Sequence, residues 1–455
     1  MRQDSNQASV DDEDKSIWQR LRRNVSVSVL GSGLSVAIKL GQTFILIKFL
    51  RIDDYGRVLI VLNLFTFLDS FFGLRVSDVM FRFFQPLRER NDRRALRSLL
   101  RFCLTICLAS GLVIFLGALI LSSWLAQNAY ANPAFATLFN IYALTVLFSA
   151  FSGVYEPILR IHNRFAAIVI PQVLGSLITL ALLLAYFTTT RGVEYDLRIV
   201  VAAFAIGISL QSIPPLVQAL RLVRQFFTAA EAGEPRSGLA GYRSDLVRCL
   251  FNSNLSGYLK FAINPGDVFL LGLFAGPTQV ALYGLARQLT SPLALLQTTI
   301  QIAATPEITI LVAKLRFQQL QRLVLRYVVS ALVFGGLLLL AALFFGRLLV
   351  LHFFAAQYVT ALPVFYCLAV ASWLLLVFLV FRPLAVSLDL LRWHNLALLI
   401  SALIVLCLIA VGSLNALTMA YVQLAEAALL RFSFSVFVWK KLGSKHLEAK
   451  VSNAR

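Results

Sequence analysis

Four cations stand in stretches that are otherwise apolar: Lys39, Arg75, Lys260 and Arg287. A charge at the centre of a bilayer costs about 2.5–3.5 kcal/mol on insertion scales, so such groups face a bundle interior or a wet cavity. Lys39 belongs to a stripe. Ser28, Ser32, Ser35, Lys39 and Gln42 recur at steps of four, three, four and three, which puts them on one face of a helix. Ser253, Gly257, Lys260, Asn264 and Asp267 line a second helix in the same way, and Asn264-Pro265-Gly266 interrupts it. Proline removes a backbone hydrogen bond and bends a helix, and in a membrane the freed groups must be satisfied by protein or water. Pro265 and Gly266 therefore read as a hinge beside a polar site. A third one-sided stripe holds Tyr283, Arg287, Thr290, Ser291, Thr298 and Gln301. A planar guanidinium grips phosphate or carboxylate in a fork. The chemistry these residues could do is binding: a cavity with excess positive charge suits an anionic cargo, whereas a drug cation calls for carboxylates and aromatics.

The acids give less. Asp69 and Asp267 are the candidates for ion coupling. Arg75, Asp78 and Arg82 are spaced for an ion-pair ladder on a helix, and Lys260 stands two turns from Asp267. Glu156, Glu307, Asp389 and Glu426 fall near helix ends or in late helices and read as salt-bridge or interface residues. The four His and five Cys show no metal-ligand spacing. No Walker loop or nucleophile elbow is present. The sequence thus predicts no catalytic residue, no metal and no cofactor; the chain does not read as an enzyme.

The elements that must position these residues are membrane helices. The chain has 455 residues, 59% hydrophobic and 14% charged, with a mean hydropathy of +0.79. So apolar a surface would aggregate in water. A bilayer helix needs about 20 apolar residues, and the runs are too long and too little alternating for barrel strands. Windowed hydropathy predicts twelve helices, near 24–48, 57–81, 99–126, 135–156, 165–188, 197–221, 249–274, 279–304, 324–350, 361–381, 393–412 and 415–438. With the first connection placed outside, 30 of the 41 Lys and Arg fall in cytoplasmic segments and six in outer ones. By the positive-inside rule both termini are cytoplasmic. The same rule accounts for the net charge of +19 without nucleic acid as a partner. The organisation expected is a cytoplasmic tail (1–23), an N-terminal lobe of six helices (24–221), a cytoplasmic linker (222–248), a C-terminal lobe of six helices (249–438) and a cytoplasmic tail (439–455). The halves share a faint likeness, FLRIDDYG at 49–56 against FAGPTQVALYG at 274–284, and repeated halves are common among transporters.

Three stretches carry a family resemblance. One runs from Gly31-Ser-Gly-Leu-Ser through 49–56 to Leu68-Asp-Ser-Phe-Phe-Gly-Leu-Arg75. Another joins Phe261-Ala-Ile-Asn-Pro-Gly-Asp267 to Val280-Ala-Leu-Tyr-Gly-Leu-Ala-Arg287, and Pro306-Glu307 with its basic loop is the third. In these the chain resembles oligosaccharide flippases of the multidrug/oligosaccharidyl-lipid/polysaccharide (MOP) exporter superfamily, of the Wzx kind. The resemblance implies two six-helix lobes around a central cavity, in a multi-pass protein of the bacterial cytoplasmic membrane. It implies alternating-access transfer of an undecaprenyl-diphosphate-linked oligosaccharide for O-antigen, exopolysaccharide or capsule synthesis, with a polysaccharide polymerase and other assembly proteins as partners. The diphosphate gives the cations a ligand. Ser32, Ser35, Gln42, Asn264, Tyr283, Thr290 and Ser291 would line the cavity. A multidrug or small-molecule antiporter on the same fold is the alternative.

Overall fold

The structure, a computed structural model, describes residues 30–89, 92–129, 134–162, 164–190, 195–228, 243–260, 266–313, 316–354, 356–387 and 391–453. Every regular element among them is helical. The N-terminal half comprises α1 (Leu30–Phe49), α2 (Ile52–Phe72), α3 (Val76–Glu89), α4 (Arg93–Trp124, continued by a π turn over Leu125–Ala129), α5 (Ala134–Ala143), α6 (Val146–Ser149), α7 (Ser152–Ile161), α8 (Ala166–Thr189) and α9 (Leu197–Thr228). The C-terminal half comprises α10 (Arg243–Lys260), α11 (Gly266–Phe274), α12 (Pro277–Ala313), α13 (Phe317–Phe353), a 3₁₀ turn (Ala356–Ala361), α14 (Leu362–Val377), α15 (Phe381–Ser387), α16 (Leu391–Ala410), α17 (Ala416–Ala425), a π turn (Glu426–Arg431) and α18 (Phe432–Asn453). Taken as rods, these account for each of the twelve expected spans. Eight of them, among the described residues, are long and apolar enough to cross a membrane. The protein is an all-α, multi-pass membrane protein.

The differences lie at the ends and inside the rods. The second span starts at Ile52, because Asp53 and Asp54 fill the first turn of α2, where negative charge complements the helix dipole; a hydropathy window discards them as polar. That span also breaks at residues 73–75, between α2 and α3. The seventh span breaks too: α10 ends at Lys260 and α11 begins at Gly266. Asn264 and Pro265, the other two residues of the expected interruption, lie outside the described residues. The expected linker is shortened from both sides, since α9 runs on to Thr228 and α10 starts at Arg243. The C-terminal tail is largely helical, continuing α18 to Asn453. Residues 1–29, with the expected N-terminal tail, lie outside the described residues.

One large hydrophobic core joins both halves at one end of the molecule. It takes Leu46, Tyr55, Val58 and Leu64 from the first half and Leu271, Val280, Tyr283 and Tyr358 from the second. At the other end the cores are separate. One contains Met80, Phe84, Leu99 and Leu159 and receives Leu246 and Cys249 of α10; the other contains Phe317, Leu320, Leu384 and Leu442. At the joined end the starts of α2 and α12 touch: Thr278 Oγ1 donates to Asp53 Oδ1, and a Cβ on Gly56 would lie 1.9 Å from the Pro277 carbonyl oxygen. Phe44 of α1 adds ring contacts to Phe353 and Phe354. Around the outside, α13 turns a long apolar face outward, from Leu325 to Phe353.

Candidate functional site

The site is built on three elements of the C-terminal half. Gly276, with φ +86°, turns the chain between α11 and α12, a backbone conformation glycine adopts without a Cβ penalty. The turn lays α12 back against α11. Asp267, in the first turn of α11, then comes beside Tyr283 and Arg287 of α12, which are four residues apart and so share a face. α17, begun by a capping box of Asn415 and Thr418, adds Gln423.

Asp267 is fully buried, and its carboxylate accepts four hydrogen bonds. Arg287 Nη1 donates to Oδ1 at 2.8 Å and the Val268 amide donates to Oδ1 at 2.8 Å. Tyr283 Oη donates to Oδ2 at 2.7 Å and Gln423 Nε2 donates to Oδ2 at 3.0 Å. Gln423 Nε2 also donates to the Tyr283 hydroxyl oxygen at 2.6 Å. A carboxylate offers about four lone-pair sites, and all of them are used. A charge taken out of lipid and water is tolerated when it is paired and bonded to this degree. The result fixes the guanidinium of Arg287, whose side chain keeps 38% of its accessible surface while Asp267 keeps none. The carboxylate anchors and the arginine presents.

Across the lobe boundary stands Lys39, exposed on α1. α1 and α12 are neighbours: a Cβ on Gly33 would lie 3.7 Å from Leu295 Cδ2. Lys39 comes ten residues before the end of α1, and Arg287 ten residues after the start of α12. At 1.5 Å per residue each is about 15 Å from the joined end, half the depth of a hydrocarbon core of roughly 30 Å. The two cations thus sit at matched depth, one on each lobe. Arg75 is exposed at the break between α2 and α3, where its amide donates to Asn254 Oδ1 of α10 at 3.2 Å.

The other sequence candidates distribute as follows. Gln42 and Ser35 are buried, and Gln42 Nε2 donates to the Ser176 carbonyl of α8 at 2.8 Å; Gln42 ties α1 to α8. Ser32 is half-buried. Thr290 and Ser291 donate back to the carbonyls of Arg287 and Gln288. Asp69 is exposed near the far end of α2, its carboxylate folded over Gly73, where an added Cβ would meet Asp69 Oδ1 at 2.4 Å. The side chain of Lys260, like Asn264, lies outside the described residues. Asp267 takes Arg287 as an ion-pair partner. The ladder expected from Arg75, Asp78 and Arg82 is not among the ion pairs of the described residues; Arg82 lies instead over the Phe83 ring. Glu426, read as a salt-bridge residue, pairs with Arg431, Arg431 Nε standing 2.8 Å from Glu426 Oε1. Sequence reasoning missed Gln423. Its signal was a polar residue three positions before Glu426 in an apolar segment.

Residues 21–312 match the family model described as polysaccharide biosynthesis protein. No curated protein matches the sequence closely enough to count as a relative. Among solved structures, the fold is similar to that of a multidrug resistance MATE family transporter of the MOP superfamily in an inward-facing conformation, at 14% identity and a TM-score of 0.66 over 90% of this chain and 95% of that one. An outward-facing MATE transporter aligns at 14% identity with a TM-score of 0.63, covering 94% and 96%. A MOP superfamily transporter from Pyrococcus furiosus, described as having a binding pocket of reversed polarity, aligns at 14% identity with a TM-score of 0.62, again over 94% and 96%. At these identities the likeness is one of fold: two lobes in the MOP arrangement.

Proposed function

The chain belongs to the polysaccharide biosynthesis protein family, and on that premise we propose that it is a flippase for a lipid-linked oligosaccharide, of the Wzx kind. It moves an undecaprenyl-diphosphate-linked repeat unit across the bacterial cytoplasmic membrane for surface polysaccharide synthesis, and hands it to a polymerase on the outer side. The observation that carries this reading is the pair of cations at matched depth: Lys39 on one lobe, and Arg287 on the other, held in place by buried Asp267. Two positive charges at mid-bilayer, one of them anchored by a carboxylate, offer an anionic head group what lipid withholds, while the polyprenyl tail stays among the acyl chains. The Lys and Arg distribution puts the joined end of the lobes outside, and on this reading the cargo loads from the cytoplasm and unloads once the Asp53–Thr278 contact parts. Asp69, exposed on α2, is the acid available to couple this motion to an ion gradient.

The test is surface polysaccharide export with Lys39→Ala and Arg287→Ala at matched protein levels. Export is expected to fall sharply in both. Normal export in both variants overturns the reading, and drug sensitivity on deletion with unchanged polysaccharide would turn it to the antiporter on the same fold.

A further inference from the structure

Arginine and carboxylate commonly meet as a fork, through two parallel hydrogen bonds. Arg287 and Asp267 meet at one point, with Nη1 on Oδ1. The reason lies in what else the carboxylate holds. Oδ2 accepts from the Tyr283 hydroxyl at 2.7 Å and from Gln423 Nε2 at 3.0 Å. Oδ1 accepts from the Val268 amide beside the arginine. Each carboxylate oxygen has about two acceptor sites, so a second nitrogen of Arg287 can reach Oδ2 only by displacing Tyr283 or Gln423. Those two are also joined to each other, Gln423 Nε2 donating to the Tyr283 hydroxyl oxygen at 2.6 Å. Displacing either one disturbs both.

The pair that fills Oδ2 is firmly placed. Tyr283 is fully buried and stands one helical turn before Arg287 on the same face of α12. Gln423 comes from α17, whose first turn is tied to the start of α12, the Ala416 amide donating to Gln279 Oε1 at 3.0 Å. A guanidinium drawn into a two-point fork with Asp267 would commit an edge to the carboxylate, and phosphate recognition needs an edge with two parallel donors. Held at one point, the Arg287 side chain keeps 38% of its surface accessible while Asp267 keeps none. Resting on the flippase reading above, we infer that Tyr283 and Gln423 are positioning residues: by filling Oδ2 they hold Arg287 to a one-point pair, and so direct its remaining donors to the diphosphate of the cargo and away from Asp267.

The experiment makes two measurements on the purified full-length protein in detergent micelles, for wild type, Tyr283→Phe and Gln423→Met. The first needs no cargo: the rate at which phenylglyoxal modifies Arg287, followed on its peptide by mass spectrometry. Either substitution opens a place on Oδ2, the arginine closes into a fork, and its labelling is expected to slow several-fold. A site that is merely loosened would label faster. Unchanged or faster labelling in either variant therefore overturns the proposal. Should Tyr283→Phe not fold, Gln423→Met decides alone, since it leaves the buried tyrosine in place. The second measurement is binding of undecaprenyl diphosphate. Losing one hydrogen bond to a charged group is expected to weaken it about tenfold in both variants. Wild-type affinity in variants whose Arg287 labels slowly overturns the assignment of those donors to the cargo. If wild type does not bind undecaprenyl diphosphate, the flippase reading falls, while the labelling still decides whether Tyr283 and Gln423 position the arginine.

Discussion

Asp267 draws its hydrogen bonds from its own lobe, and it sets what Arg287 can do. Replacing it by Ala would take away the carboxylate to which Arg287, Tyr283, Gln423 and the Val268 amide all donate. Removing one partner of a buried pair costs about 3–5 kcal/mol. We expect Asp267→Ala to lower the thermal midpoint of the protein in detergent far more than Asp267→Asn, which keeps one acceptor oxygen; equal midpoints for the two would contradict this account of the carboxylate. At this scale the sequence was partly legible. Asp267, Tyr283 and Arg287 stand out because each is polar in an apolar run, and their helical spacing is a local property. Their meeting is not local: it depends on the turn at Gly276 and on α17 coming alongside, which is why the Asp267–Arg287 pair was not foreseen and why Gln423 went unnoticed.

Among the elements, the informative junction is where α2 and α12 begin. Two glycines allow close approach there, and they differ in what they approach. A Cβ on Gly56 would lie 1.9 Å from the backbone oxygen of Pro277, whereas one on Gly284 would meet the flexible end of Leu59 at 2.3 Å. A side-chain tip can rotate away and a helix start cannot. Gly56→Ala is therefore expected to separate the lobes at the joined end, read as faster labelling of a cysteine placed at Thr278, while Gly284→Ala changes labelling little. Hydropathy placed all twelve rods because lipid demands about 20 apolar residues from each. It could not place the breaks at 73–75 and after Lys260, since a helix in two pieces keeps the same average hydropathy as a whole one. Nor could it recover a helix start that holds Asp53 and Asp54, whose charge the first turn welcomes.

For the whole molecule, the arrangement of cores defines the motion. One core spans both lobes at the end where Asp53 meets Thr278; at the other, one core belongs to the first lobe with α10 laid against it, and a second belongs to the C-terminal lobe. On the proposed flippase reading, the shared core parts and the far end closes during transfer. Cysteines at Asp53 and Thr278 should form a disulfide that stops export, with recovery on adding reductant. The pair is best built with Cys407, the exposed native thiol, replaced by Ser. Export that continues in the oxidised protein would show that the joined end stays shut throughout. The two-lobed plan was legible from composition, charge distribution and the paired stretches at 49–56 and 274–284. Which end is closed was not, because that is a choice between states of one sequence.

The outward face of α13 has a consequence for the membrane itself. Between Arg326 and Arg347, both exposed, it shows lipid an apolar band that spans 21 residue steps, about 32 Å at 1.5 Å per residue. The hydrocarbon slab is roughly 30 Å thick. The band matches that slab and puts Arg326 and Arg347 at its two rims, so in a thicker or thinner bilayer the helix must lean or the lipid must deform around it. The lobe that carries Arg287 is consequently bound to the thickness of its surroundings. Acyl-chain length becomes a mechanical load on the rocking of that lobe, applied from outside and with no ligand involved.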